Sequence, residues 1–112
     1  MAAKTLKQVD VLRHELKALR FILDNYHNGK LGPGALPSRD DFLSEQTRAI
    51  YDALVRAAGR AEAEAAIGEL DLEGVDLDSF LALSGEHYYT YPALVRERAR
   101  ELRAGRLRIE AA

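Results

Sequence analysis

Six apolar residues near the start of the chain alternate in steps of three and four, and this spacing constrains the fold more than any other feature. They are Val9, Leu12, Leu16, Leu19, Leu23 and Tyr26. Such residues line up along one side of an α-helix. We predict a helix that begins near Thr5 and ends around residues 27–29, where Asn and Gly tolerate the left-handed backbone of a helix end. The pattern lasts for about three heptads, which favours a bundle helix over a coiled coil.

A second apolar face follows a loop. Residues 29–37 are rich in Gly and Pro and predict a flexible connector, since they lack the order of Gly, Lys and Ser or Thr that a phosphate-binding loop requires. Ser38 is expected to cap a helical start that has acidic residues in its first turn, and Ser44 offers a second cap. The face that follows ends near Gly59 and comprises Thr47, Ile50, Tyr51, Leu54, Val55 and Ala58.

Three shorter patterns complete the chain. An alanine-rich helix is predicted over residues 60–70. Asp76 is expected to cap a short helix that ends at residues 84–85. Pro92 suits the first position of the last helix, and Gly105 is expected to end it.

No alternating pattern of strand length appears in the chain, so we predict an all-α fold. We expect one domain over residues 1–112, a compact bundle of about five helices with a longer C-terminal helix. The residues expected in its core are Leu12, Leu16, Leu19, Leu23, Phe42, Ile50, Tyr51, Leu54 and Phe80.

Composition narrows the class of protein further. Apolar residues make up 47% and charged residues 30% of the 112 positions, as in ordinary globular proteins. The formal net charge of -2 gives no overall attraction to nucleic acid or to an anionic membrane. There is no cysteine, and no apolar run approaches the roughly 18 residues of a membrane span. We therefore expect a cytoplasmic protein with no membrane partner.

The sequence offers no set of residues for covalent chemistry. His14 and Glu15 begin a helical zinc motif, but Ala18 stands where the second histidine should be. Asp40 and Asp41 form a carboxylate pair at a place where a helix N-terminus favours negative charge. We predict no catalytic residues, no metal, no cofactor and no small-molecule substrate, and so a protein that is not an enzyme.

Charge is distributed unevenly along the second half of the chain. Residues 62–86 carry eight acidic residues and no Lys or Arg, whereas residues 96–108 are rich in Arg. Tyr and Arg together are typical of protein interfaces. The candidate protein interface therefore comprises Tyr88, Tyr89, Tyr91, Leu94, Arg96, Arg98, Arg100 and Arg103. Two questions stay open: whether the acidic and basic segments meet within one fold or between chains, and whether the basic helix binds nucleic acid, against which Glu97 and Glu101 argue.

Several short segments resemble the N-terminal domain of the DnaB-type replicative helicases, over about residues 10–103. Residues 41–54 resemble that family's Phe anchor, capped turn and Arg-x-Ile-aromatic core, and residues 15–19 with 22–23 lie where the family has its first apolar helix. Residues 84–88 resemble a recurring Gly-x-x-Tyr segment. Residues 91–103 resemble the start of the family's helical hairpin.

This resemblance implies an all-helical module that associates with itself and contacts primase or a helicase-loading protein. The helicase-binding domain of bacterial primase is similar in fold, so it fits the same pattern. The chain departs from the family in having no Walker motif and no second hairpin helix, which puts DNA unwinding and ring assembly in doubt. The alternative is a small nucleic-acid-binding regulator that uses the basic C-terminal helix.

Overall fold

The computed structural model describes residues 3–111, which form five α-helices and two short β-strands. The elements in chain order are β1 Lys4–Lys7, α1 Gln8–Asn25, α2 Glu45–Arg56, α3 Arg60–Gly68, α4 Leu77–Ala82, α5 Tyr91–Arg103 and β2 Leu107–Glu110. Two 3-10 turns, Pro33–Ala35 and Arg39–Asp41, lie in the connection between α1 and α2. The mostly helical fold that we predicted is confirmed. Not one of the helices within residues 3–111 is both long and apolar enough to cross a membrane.

Helix α1 is the centre of the molecule, because all four other helices pack against it. Its most deeply buried positions are Val11, Glu15, Ala18, Leu19, Ile22 and Leu23. The predicted stripe is rotated from these positions, since Leu12 and Leu16 are only half-buried and Val9 is 47% exposed. The buried positions also have helical spacing, but two of them are Glu15 and Ala18. A search for large apolar residues at this spacing therefore does not find them.

Side chains from the other helices complete the core around α1. Phe42, Ile50, Tyr51, Leu54 and Phe80 are all buried there, where we expected them. The rings of Phe42 and Tyr51 lie 5.2 Å apart, and the Tyr51 hydroxyl donates a 2.8 Å hydrogen bond to the backbone oxygen of Pro37. The core is completed by residues absent from our prediction: Ala63, Ile67, Val95, Ala99 and Leu107.

A buried carboxylate joins α1 to the start of α2. Glu15 is 2% exposed, and its two oxygens accept hydrogen bonds of 2.7 Å from the backbone N–H of Leu43 and from the hydroxyl of Thr47. Burial raises the pKa of Glu15, although these hydrogen bonds act in the opposite direction. Glu15 thus fixes the chain where it enters α2.

The C-terminal half of α1 receives the segment between α4 and α5. The backbone N–H of Gly85 donates a 2.9 Å hydrogen bond to Asp24, whose carboxylate also pairs with Arg20 at 3.2 Å and Arg60 at 2.7 Å. A Cβ at Gly85 would lie 2.8 Å from the backbone oxygen of Arg20, closer than such atoms approach. Only glycine therefore fits here with the backbone as it stands.

Two of our fold predictions are wrong. A two-stranded parallel sheet joins β1 to β2 in the register Lys4 to Leu107, so the fold is not strictly all-α, and α1 begins after β1 at Gln8. Each strand has four residues, too few to show an alternating pattern, and its partner lies at the other end of the chain. The C-terminal helix α5 has 13 residues, more than α2, α3 or α4 and fewer than the 18 of α1.

Several helix ends lie where the sequence predicted them. The Asp76 side chain accepts a hydrogen bond from the backbone N–H of Ser79 and so caps α4. Helix α5 carries Pro92 in its first turn, and Gly105 follows its end with a φ of 75°. A left-handed residue two positions beyond the helix turns the chain back, and this lets β2 return alongside α5.

Candidate docking surface

The three tyrosines at the start of α5, Tyr88, Tyr89 and Tyr91, differ in their exposure to solvent. The rings of Tyr88 and Tyr91 are half-buried and meet edge to face at 5.6 Å. The ammonium group of Lys17 on α1 lies 5.6 Å and 5.5 Å from their centroids, within range of a cation–π contact. Tyr89 points away from this cluster and is 69% exposed. Of the three tyrosines, it is therefore the one available to a partner.

Arg98 faces α1 instead of solvent. Its guanidinium donates a 2.7 Å hydrogen bond to Nδ1 of His14. Arginine has no acceptor atom, so Nδ1 of His14 must be unprotonated. Burial lowers the pKa of His14, and the positive charges of Arg98 and Lys17 lower it further. This pair holds α5 against α1.

Two further arginines attach α5 to the connection between α1 and α2. Arg96 donates a 2.6 Å hydrogen bond to the backbone oxygen of Gly34. Arg103 donates to the backbone oxygen of Asp40 at 3.1 Å and to the carboxylate of Asp41 at 3.2 Å. Arg100 is exposed and makes no ion pair within residues 3–111.

Helix α5 and the connector enclose a groove that contains part of the predicted interface. Its volume is about 360 Å³, and its lining comprises Phe21, Leu31, Gly34, Ala35, Tyr89, Pro92, Ala93 and Arg96. We call these residues the Tyr89 groove. Pro92 forms a buried wall, while Tyr89 and Ala93 lie on the exposed rim. The structure thus places Tyr89 and Arg96 of the predicted interface in one apolar depression.

The rest of the predicted interface lies elsewhere. Leu94 is half-buried and lines a cavity beside the sheet together with Leu6 and Leu107. Arg100 lines a shallow surface depression along α5. The eight candidate residues are therefore spread around α5 and do not form one patch.

The groove also contains residues that the sequence did not single out. Leu31 and Ala35 belong to the segment that we interpreted as a connector, and Phe21 lies on α1 outside the six apolar positions of the predicted face. The sequence held one signal for the groove, namely apolar residues within a loop rich in Gly and Pro. A fully exposed connector is usually polar, so apolar residues in it indicate a contact surface. The position of the loop against α5 depends on tertiary contacts, which periodicity does not reveal.

The acidic and basic segments do not pair within the described part of the chain. No ion pair among residues 3–111 joins an acidic residue of 62–86 to an arginine of 96–108. Glu64 pairs with Arg60 on its own helix, and Arg103 pairs with Asp41. The two segments therefore present separate charged surfaces.

The described residues also bear on metal binding. Residues 3–111 contain no group of three or more His, Asp or Glu side chains arranged to hold a metal ion. His14 lies against Arg98, and His27 contacts the backbone oxygen of Leu54 at 3.1 Å. That the protein has no catalytic activity stays a prediction.

Comparison with known proteins gave no relative. No family model, no curated protein and no solved structure matches this chain. The resemblance to the helicase N-terminal domain therefore depends on the short segments described above and stays a prediction.

Proposed function

We propose that this protein is a non-catalytic interaction module of DNA replication, of the kind found at the N-terminus of replicative helicases. Its partner is primase or a helicase-loading protein, and it works in the cytoplasm. The observation that supports this most directly is the Tyr89 groove, an apolar depression with a strongly exposed tyrosine on its rim.

The composition of the groove suits a protein segment. Tyr and Arg are over-represented among residues whose loss weakens protein complexes, because each offers a large contact area together with a hydrogen-bond donor. In the groove, Tyr89 supplies aromatic surface beside Phe21 and Leu31, and Arg96 adds a positive charge at the edge. We expect the bound segment to bring an apolar side chain and a nearby carboxylate.

The alternative, binding of nucleic acid by α5, has less support from the side-chain contacts. Phosphate binding needs free cationic groups along one face. Arg98 and Arg103 already donate hydrogen bonds to other parts of the chain, and Glu97 and Glu101 interrupt the remaining positive charges of α5. The alternative predicts DNA or RNA binding that falls steeply with salt, whereas the proposal predicts no such binding at low salt.

The test is retention of replication proteins by the immobilised full chain and by a Tyr89→Ala variant. We expect the wild-type chain to retain primase or a helicase-loading protein and the variant to lose about tenfold or more in affinity, as when an interface anchor is truncated. Val9→Ala is the matched control, because Val9 is also exposed but lies outside the groove. Retention of neither protein, or equal weakening by both substitutions, contradicts the proposal.

A further inference from the structure

The short sheet leaves its outer edges open. Strand β1 pairs with β2 and with no other strand in residues 3–111. Within the same residues, no turn, loop or side-chain hydrogen bond reaches the backbone of Leu107–Glu110. An unpaired strand edge carries a row of free N–H and C=O groups that a further strand can use. Parallel sheets of only two strands are uncommon, which makes addition of a strand structurally reasonable.

The two edges differ in charge. Strand β1 has an exposed lysine at each end, Lys4 and Lys7, and lysine on an edge strand opposes pairing with a like strand. Strand β2 has the sequence Leu-Arg-Ile-Glu, in which one positive and one negative charge balance. The edge of β2 is therefore the one open to pairing.

The backbone of β2 directs alternate residues to this edge. The N–H of Lys4 donates a 3.1 Å hydrogen bond to the backbone oxygen of Arg106. In a regular parallel ladder, Arg106 and Arg108 then direct their backbone groups at β1, and Leu107 and Ile109 direct theirs outward. Side chains alternate as well, so buried Leu107 faces the helices while Arg108 and Glu110 are exposed on the solvent face.

We infer that β2 pairs antiparallel with β2 of a second copy of this chain, with Ile109 on the two-fold axis. The two Ile109 residues then exchange reciprocal N–H to C=O hydrogen bonds. Arg108 of each copy lies opposite Glu110 of the other, so both exposed charges meet an opposite charge. Because the same segment of each copy forms the contact, assembly stops at a dimer. The two sheets then join into one sheet of four strands.

This inference concerns a different surface from the Tyr89 groove and does not depend on the proposed replication role. No residue of β2 lines the groove. A dimer without partner binding would support the inference and contradict the proposed function, and partner binding by a monomer would do the reverse.

The test measures the mass of the full chain by sedimentation equilibrium over a wide range of concentrations. We expect a monomer–dimer equilibrium whose dissociation constant rises about tenfold or more in Glu110→Arg, because two attractive cross-strand pairs become repulsive. Arg108→Glu is expected to do the same. An equimolar mixture of the two variants is expected to form a heterodimer, since every opposed pair again has opposite charges. Arg56→Glu, at an exposed position on α2, is the control and should leave the dissociation constant unchanged.

Four results would overturn the inference. The first is a wild-type chain that stays monomeric at every concentration. The second is a dimer whose dissociation constant the charge reversals do not alter, or that the mixture of variants fails to restore. The third is assembly that grows beyond a dimer with concentration, which would indicate pairing of β2 with β1 of the next copy in an open series. Ile109→Pro removes the outward N–H without changing charge, and retention of the dimer in that variant would also overturn the inference.

Discussion

At the residue scale, Gly85 is the glycine that leaves least room for a side chain. A methyl group there would lie 2.8 Å from the backbone oxygen of Arg20 and 3.0 Å from its carbonyl carbon. We expect Gly85→Ala to lower the free energy of unfolding by about 1–3 kcal/mol, because the segment must move off α1 to relieve the overlap. Urea denaturation followed by circular dichroism measures this change.

The control for this prediction is Gly68→Ala at the end of α3. The nearest atom to a Cβ at Gly68 is Cδ1 of Leu81 at 4.0 Å, and alanine favours the helix, so this variant should be as stable as the wild type or slightly more so. Equal effects of the two substitutions would show that close packing is not what sets Gly85 apart.

The raised pKa of Glu15 predicts how the stability of the fold depends on pH. Its folded-state pKa is raised above the reference value of 4.5, so between 4.5 and the folded-state pKa the folded chain binds more protons than the unfolded chain. The contribution of Glu15 to stability is therefore greatest below that window and falls as pH rises through it. Glu15→Gln, which does not titrate, should lose this dependence.

The measurement is the difference in unfolding free energy between wild type and Glu15→Gln at a series of pH values upward from 4.5. We expect the wild type to lose stability relative to the variant as pH rises. Glu45→Gln is the control for exchanging a carboxylate for an amide, because Glu45 is exposed on the first turn of α2. If the wild type instead gains stability relative to the variant as pH rises, the hydrogen bonds from Leu43 and Thr47 affect the pKa of Glu15 more than burial does.

At the scale of elements, the five helices follow from apolar spacing and from capping residues, which are local signals. The cap at Asp76 and the stop at Gly105 could be read directly, because each acts on its neighbours in sequence. The sheet could not be read this way, since β1 and β2 are each four residues long and stabilise one another only in the folded chain. The groove was missed for the same reason, as Leu31 and Ala35 gain their role only where the connector meets α5.

The sheet also yields a stability prediction. Leu107 is 3% exposed and is the residue through which β2 packs on the helices. We expect Leu107→Ala to cost about 2–4 kcal/mol and to increase hydrogen exchange at the amides of β1, because the strand would lose its packed anchor. Leu83→Ala is the control, since Leu83 is 38% exposed and should cost much less. Unchanged exchange in β1 would show that the sheet does not depend on Leu107.

At the scale of the whole molecule, charge is separated in the second half of the chain. The acidic residues of 62–86 lie on and around α3 and α4, and six arginines lie on and after α5, with no ion pair between the two groups in residues 3–111. Separation of this kind orients a molecule as it approaches a charged partner and raises the association rate at low salt. It agrees with a role in docking, which needs orientation more than it needs a deep cavity.

The Tyr89 groove and the β2 edge share no residue, so the two proposed contacts use separate surfaces. Substitutions at separate sites without common partners add in free energy. We expect Tyr89→Ala to weaken partner retention without changing the dimer dissociation constant, and Glu110→Arg to do the opposite. The double variant should show both losses, each equal to that of its single variant. A Tyr89→Ala chain with a weakened dimer would mean that the groove itself binds the second copy, and the two surfaces would then be parts of one interface.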